Sequence, residues 1–323
     1  LATMGYVPTV FEKNAELGGM MRYGIPSYKL EKDVIDAEID VLKKLGVEFR
    51  CNTEVGKDVT IEGLKKDGYK AFYVAIGCQG GRYPGVDNDH AEGTFIAVDY
   101  LKDAYENRDT KFEGDVVVVG GGNVAIDCAR TAHRQGAKNV NMFALETRET
   151  MPASLDEIKE ALEENVVINN SWGPKELKVD ESGKVTSIVF KKCTATIVDG
   201  KFNPQYDESE TMEIDADKVI FAIGQAVVWG DMLKGTNVKF HHGNYPVADK
   251  LTYQTDDEDI FVGGDVYTGP KFVIDAIAQG HMAAERLHRH VHEGASLTIG
   301  LDRREFIEFN KNDILVNDYD HAQ

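Results

Sequence analysis

The stretch Val116-Val-Val-Val-Gly-Gly-Gly-Asn-Val-Ala-Ile-Asp127 has the residue types and spacing most able to do chemistry. Read as Gly120-x-Gly122-x-x-Ala125, it is a dinucleotide fingerprint with alanine in the third small position. Gly120 permits a tight turn, Gly122 lets backbone N–H groups approach a pyrophosphate, and Ala125 lets the following helix pack close to the strand. Four β-branched residues before the turn predict a buried parallel strand. The residues after it predict a helix running through Ala132-His133-Arg134, whose positive end faces the phosphates.

A second position reads in the same terms. Thr9-Val10-Phe11 predicts a strand, and Glu12 follows it. An acid at the end of the second strand of a dinucleotide fold accepts hydrogen bonds from a ribose diol, about 20 residues after the first glycine of that fold. Counting back from Glu12 puts that glycine before Leu1. The chain is therefore expected to lack an N-terminal strand and its Gly-rich turn. Leu1-Ala-Thr-Met-Gly5 reads as the last turn of a helix with a glycine stop, not as a signal peptide.

Other elements must position these residues. Leu17-Gly-Gly-Met-Met-Arg-Tyr-Gly-Ile-Pro26 reads as a glycine-rich loop. The residues 33–45 show helical spacing closed by Gly46. Strands are expected over 47–50, 71–76, 166–169, 185–190, 218–223 and 260–262. Helices are expected over 155–164 and 272–290, and a polar crossover over 106–114. Ala-Ile-Gly occurs twice, at 75–77 and 222–224, once after each nucleotide unit. The polar tail from Ser296 has helical character at 303–310, and Tyr319-Asp320 reads as solvated or bound to a partner.

Composition limits the function classes. A formal charge of −19 over 323 residues opposes a nucleic-acid surface. No apolar run approaches the ~20 residues of a membrane span. Cys51, Cys78, Cys128 and Cys193 form no C-x-x-C pair, which by spacing excludes an internal dithiol, a closed zinc site and a local iron–sulfur ligand set. No metal site is expected, and reduced cysteines in a cytoplasmic protein are the default.

Four motifs together resemble the flavoprotein oxidoreductases that carry two dinucleotide domains. They are most similar to the glutamate synthase small-subunit group and its relatives, which include the flavin subunits of NADH-dependent ferredoxin:NADP oxidoreductases and the flavin portion of dihydropyrimidine dehydrogenase. The motifs are Glu12 with Gly18-Gly19 and Arg22-Tyr23-Gly24-Ile25-Pro26; Gly120–Asp127 with Ala129-Arg130-Thr131; Met151-Pro152-Ala153; and Gly263-Gly264-Asp265 with Ala276-Ile277-Ala278. The resemblance runs from Leu1 to about Arg289.

It implies an α/β fold of two Rossmann-like domains, an FAD domain (1–107 and 236–295, N-terminally incomplete) with an inserted NAD(P) domain (108–235), and a tail at 296–323. FAD contacts are implied at Glu12, Gly18, Gly19, Arg22, Ile25, Val55, Ala75, Gly77, Gly264, Asp265 and Val273. Glu12 would hold the adenosine ribose and Asp265 the ribityl chain. The helix beginning near Phe272 would point its positive end at the flavin's N1–C2 edge, favouring the anionic reduced form. Nicotinamide-nucleotide contacts are implied at Gly120, Gly122, Asn123, Val124, Ile223 and Gly224. Asp127 and Arg130 serve either the nucleotide or the packing and domain contacts.

At one place the chain departs from the group. Where the group has Tyr-Arg-Arg, whose arginines grip a 2′-phosphate, this chain has Ala144-Leu145-Glu146. A carboxylate repels a phosphate and can bind a free ribose diol, so Glu146 predicts NAD(H). Hydride transfer between stacked rings needs positioning and no protein acid, base or nucleophile, so no catalytic side chain is expected. The expected function is an FAD-dependent NADH oxidoreductase module, passing electrons to iron–sulfur clusters on a missing segment or on iron–sulfur or flavoprotein subunits of a larger complex. The alternatives are a flavin-bifurcating subunit, a non-catalytic nucleotide-binding scaffold, and a protein that binds NAD alone.

Overall fold

The strand Asp115–Val119 is the centre of the molecule. Its valines alternate between two cores, as a strand's side chains must. Val116 and Val118 face helices, whereas Val117 and Val119 face an antiparallel sheet. The computed structural model describes residues 1–241 and 243–301; the expectations for residues 303–310 and Tyr319-Asp320 fall outside them.

Around this strand runs a five-stranded parallel sheet in the order Thr94–Ile96, Lys218–Phe221, Asp115–Val119, Asn139–Ala144, Val167–Asn170. On one face, the helix Asn123–Arg134 buries Ala125, Ile126, Cys128, Ala129 and Ala132. The helices Ala97–Glu106 and Leu155–Glu163 complete that layer. Ser154 caps the second of them, accepting a hydrogen bond from the Glu157 N–H. On the other face lies a three-stranded antiparallel sheet of Trp172–Val179, Val185–Val198 and Lys201–Asp215, with Val185–Val198 in the middle. Phe143 of the parallel sheet stacks on Phe190 of the antiparallel one at 3.9 Å between ring centroids.

The second unit is built from two parallel pairs, Thr9–Phe11 with Glu48–Arg50 and Phe72–Val74 with Ile260–Val262. Among the described residues no strand hydrogen-bonds one pair to the other. The helices Lys32–Lys44, Ile61–Lys66 and Val273–His290 accompany them, and Ile61, Val74, Leu233, Ile260 and Val262 form a core. A short antiparallel ribbon, Gly80-Gly81 with Gln225-Ala226, joins the two units. Each strand of that ribbon follows one of the Ala-Ile-Gly turns, and both glycines have positive φ, 66° at Gly77 and 120° at Gly224.

The packing departs from the expected boundaries at 108 and 235. Thr94–Ile96 pairs inside the five-stranded sheet, Ala97, Tyr100 and Leu101 lie in its helical core, and Tyr83, Val86, Asp87 and Glu92 already meet the inserted sheets, so contacts of the inserted unit reach back to about residue 83. At the other end, Val227 packs with Cys78 and Val266, and Leu233 with Val74 and Ile260. Residues after the ribbon thus belong to the first unit. The expected glycine-rich loop also contains a short helix, Gly19–Tyr23.

Candidate functional site

The dinucleotide turn sits where the fingerprint requires. Gly120 has φ 147°, and a Cβ there would overlap the Ala222 carbonyl oxygen, so strand 218–221 leaves room only for glycine. Gly122 faces open space and caps the helix that begins at Asn123. The Gly120 N–H is taken by the Phe143 carbonyl at 2.8 Å, so a pyrophosphate would be met at Gly122 and the start of the helix. Ala125 is fully buried, and Val124 packs against the same core.

Glu146 lies just past the end of strand 139–144 and comes to the turn. A Cβ on Gly121 would lie 2.6 Å from its Oε2. The Met151-Pro152-Ala153 motif folds back over this region. Ala153 N–H donates to the Gly121 carbonyl at 3.0 Å, and Ser154 N–H donates to Asn123 Oδ1 at 2.9 Å. Asn123 thus holds the loop with its side chain. Ile223 and Gly224 follow the strand next to 115–119 and are at the same sheet end.

In the second unit, Glu12 stands at the end of its strand. Its Oε1 accepts from Asn14 N–H at 2.8 Å and from Asn14 Nδ2 at 2.9 Å, which fixes the carboxylate. Gly18 and Gly19 have φ 119° and 50°, and Gly19 faces open space, as does Gly77. Ala75 is exposed, and Ile25 and Val55 are partly covered. Gly263 is required because a Cβ there would collide with the Tyr73 hydroxyl. Gly264 is required by its φ of 72°. Gly264 N–H donates to the buried Gln279 at 2.7 Å. Burial raises the Asp265 carboxyl above the ordinary range, and its Oδ1 accepts from Lys271 N–H at 3.1 Å. Beside it begins the helix Val273–His290, with Phe272 75% and Val273 42% exposed at its start. Gly19, Gly77 and Gly264 offer the close backbone approach a large planar cofactor needs, so these residues fit a flavin as far as the described strands go.

Arg22 corrects the sequence reading. It was expected at the cofactor, but it is 3% exposed and turned inward. It donates to the Leu17 carbonyl at 2.5 Å and to the Tyr105 hydroxyl at 3.1 Å, and pairs with Asp36 and Glu16. It braces the loop. Asp127 and Arg130 take part in domain contacts. Lys29 reaches Asp127 at 2.7 Å, and the Tyr28 ring lies 4.9 Å from Arg130, which also pairs with Glu160 and Glu164 of its own unit. Burial pushes the Asp127 carboxyl up to about 6, against the opposing pull of Lys29. Lys29 itself went unnoticed in the sequence, where its one signal is its place three residues after Pro26. Among the described residues no cluster of His, Cys, Asp and Glu is arranged for a metal, and all four cysteines are free.

Residues 56–280 match the family described as pyridine nucleotide-disulphide oxidoreductases. The chain belongs to that family. Members bind FAD and a nicotinamide nucleotide. The resemblance to the glutamate synthase small-subunit group also holds. The chain is 37% identical over 301 residues to the NADP(+)-dependent formate dehydrogenase subunit beta of Moorella thermoacetica, covering 92% of this chain and 42% of that protein. It is 34% identical to the glutamate synthase [NADPH] small chain of Escherichia coli K12, covering 88% and 64%. It is 34% identical to the NAD-dependent dihydropyrimidine dehydrogenase subunit PreT of Escherichia coli O157:H7, covering 91% and 65%. The chain thus spans between about two-fifths and two-thirds of the length of these relatives. In fold it is similar to Mycobacterium tuberculosis FprA in complex with NADPH, with a TM-score of 0.72 at 17% identity, over 88% of this chain and 77% of that one.

Proposed function

We propose that the chain is the module of a larger electron-transfer enzyme that moves hydride between NAD(H) and FAD and hands electrons to iron–sulfur clusters in a partner subunit or another segment, in the cytoplasm. The observation that carries this reading is the 115–134 strand, turn and helix with the Glu146 carboxylate beside its glycines. Gly122 and the start of the helix would hold the pyrophosphate, and Glu146 would accept from the ribose hydroxyls of NAD. Ile223 and Gly224 would border the nicotinamide end. On the other side, Glu12 would take the FAD ribose. Gly18, Gly19, Ile25, Val55, Ala75 and Gly77 would line the cofactor, with Gly264, Asp265 and Val273 at the ribityl and ring end. The bound flavin supplies the hydride-accepting chemistry; the protein supplies position and electrostatics.

The sheet order leaves a place for a further strand in the first unit. In the complete sheet, the glycine-turn strand lies between 139–144 and 218–221. The same order puts a strand between Thr9–Phe11 and Phe72–Val74. Val10 at 40% exposed and Val34, Val41 and Leu42 on the adjoining helix at 44–52% are then the apolar groups that such a strand, turn and helix would cover. On this reading the FAD unit comprises 1–81 and 225–295, and the inserted unit 82–224.

The test is binding and cofactor identity. Cofactor released from the full-length protein by heat, run beside FAD and FMN, is expected to match FAD. Calorimetric titration is expected to give tighter binding for NADH than for NADPH. Tighter NADPH binding would overturn the Glu146 assignment, and FMN or no flavin would overturn the FAD assignment.

A further inference from the structure

The segment 16–32 belongs by sequence to the first unit, yet Glu16, Arg22, Tyr23, Tyr28 and Lys29 reach the inserted one. At one end Tyr23 packs edge-on against Tyr105 of the helix Ala97–Glu106 at 5.3 Å, and the Tyr105 hydroxyl donates to Glu16 at 2.8 Å. At the other end the Tyr28 ring lies under two guanidinium groups of the helix Asn123–Arg134, 4.9 Å from Arg130 and 4.0 Å from Arg134. Next to it Lys29 Nζ meets Asp127 at 2.7 Å and Glu157 at 2.5 Å. The Asp127 side chain is 9% exposed. Its neighbour Arg130 is already taken by Glu160 and Glu164, so Lys29 is the cation that reaches it. Between the two anchors, Lys32 donates to the carbonyls of Met21 at 2.8 Å and Ile25 at 2.6 Å. The turn Gly24-Ile25-Pro26 is thus held from both sides.

We infer that Lys29 is a positioning residue: by pairing with Asp127 and Glu157 it clasps the Gly24–Pro26 turn to the nucleotide-binding helix and fixes how the two units meet. This rests on the proposed hydride transfer. One ammonium serves two carboxylates from two helices, so a single side chain ties three elements of the fold. The continuous link between the units is a ribbon of two residues on each side, one side being Gly80-Gly81. Such a link sets direction poorly by itself. Hydride transfer needs the reacting atoms about 3–3.5 Å apart, and a shift of about 1 Å costs on the order of a hundredfold in rate. The helix that carries Asp127 begins at the pyrophosphate turn. A clasp on that helix is therefore a clasp on the nucleotide.

The experiment uses the full chain with Cys51→Ser and spin labels at Glu62→Cys in the first unit and Thr186→Cys in the inserted one. It compares Lys29, Lys29→Arg, Lys29→Met and the double variant Lys29→Met/Asp127→Asn. The double variant removes the buried carboxylate that Lys29→Met would leave unpaired, so the fold is not asked to carry it. Pulsed EPR, which needs no flavin, is expected to give one narrow distance for the parent and Lys29→Arg and a broad one for the other two. Anaerobic single-turnover reduction is expected to slow by about tenfold or more in those two at saturating NADH, with the NADH dissociation constant unchanged and Lys29→Arg near the parent. A narrow distance in the double variant overturns the clasp, whatever the rate does. So does an unchanged rate beside a broadened distance. If NADH fails to reduce the parent, the hydride reading falls, and the EPR arm still decides whether Lys29 joins the units.

Discussion

In the proposed function Glu146 selects the nicotinamide nucleotide, its carboxylate lying against Gly121 of the turn. Glu146→Ala removes a charged acceptor from the ribose hydroxyls and a repeller of the 2′-phosphate. Hydrogen bonds to charged groups contribute about 1.5–3 kcal/mol. NADH affinity is expected to fall roughly tenfold to a hundredfold, and NADPH affinity to hold or rise, as read by calorimetric titration. Asp127 makes a prediction about pH. Its carboxyl titrates near 6 in the folded protein against roughly 3.9 in an unfolded chain. Between those values the folded state holds a proton that the unfolded state has lost. Stability contributed by this group is thus complete below about pH 4 and declines as pH rises through 6, by on the order of 3 kcal/mol. Asp127→Asn removes that dependence. Its Tm measured against the parent is expected to improve steadily from pH 4 to pH 7; a difference flat with pH would contradict the assignment. Glu146 was legible in the sequence because it follows a strand that a glycine turn had already placed. Lys29 was not, because a loop lysine reads as solvated and its partner Asp127 is 98 residues away.

At the scale of elements, the glycine turn separates a structural task from a binding one. Gly120 cannot take a side chain: its φ is 147°, and a Cβ would strike the Ala222 carbonyl. Gly122 has ordinary backbone angles and nothing within 4 Å. Gly120→Ala is expected to cost about 2 kcal/mol or more of stability, seen as a lower denaturation midpoint. Gly122→Ala is expected to leave the midpoint within about 0.5 kcal/mol and to weaken nucleotide binding, because its methyl occupies the space the phosphates need. Equal loss of stability in both would contradict this division. The buried strand 115–119 and the amphipathic helices 123–134, 155–163 and 273–290 were legible from their apolar patterns. The strand 172–179 was not, because Gly173-Pro174 reads as a turn. Gly173 is there because a Cβ would crowd Tyr206 and Leu145. The strand 201–215 was hidden by its acidic, mostly exposed residues, which pair with Val185–Val198 at the edge of the sheet.

At the scale of the molecule, one complete sheet and one in two halves are joined by a short ribbon and by the 16–32 segment. The doubling was legible from the repeated Ala-Ile-Gly and from Glu12. The start of the inserted unit was not, because its first strand and helix, Thr94–Ile96 and Ala97–Glu106, come before the fingerprint, and only pairing reveals their allegiance. If a strand, turn and helix belong between Thr9–Phe11 and Phe72–Val74, a longer chain that carries such a unit before Leu1 will retain FAD through gel filtration far better than a chain beginning at Leu1. Equal retention would show that the slot needs no filling.

The most direct test of the central claim is to load the protein with FAD, exclude oxygen, add NADH or NADPH, and follow the flavin absorbance band. Rapid bleaching by NADH, slower by NADPH, is the result this account predicts. A bound flavin that neither nucleotide bleaches would contradict it and leave the chain a nucleotide-binding scaffold.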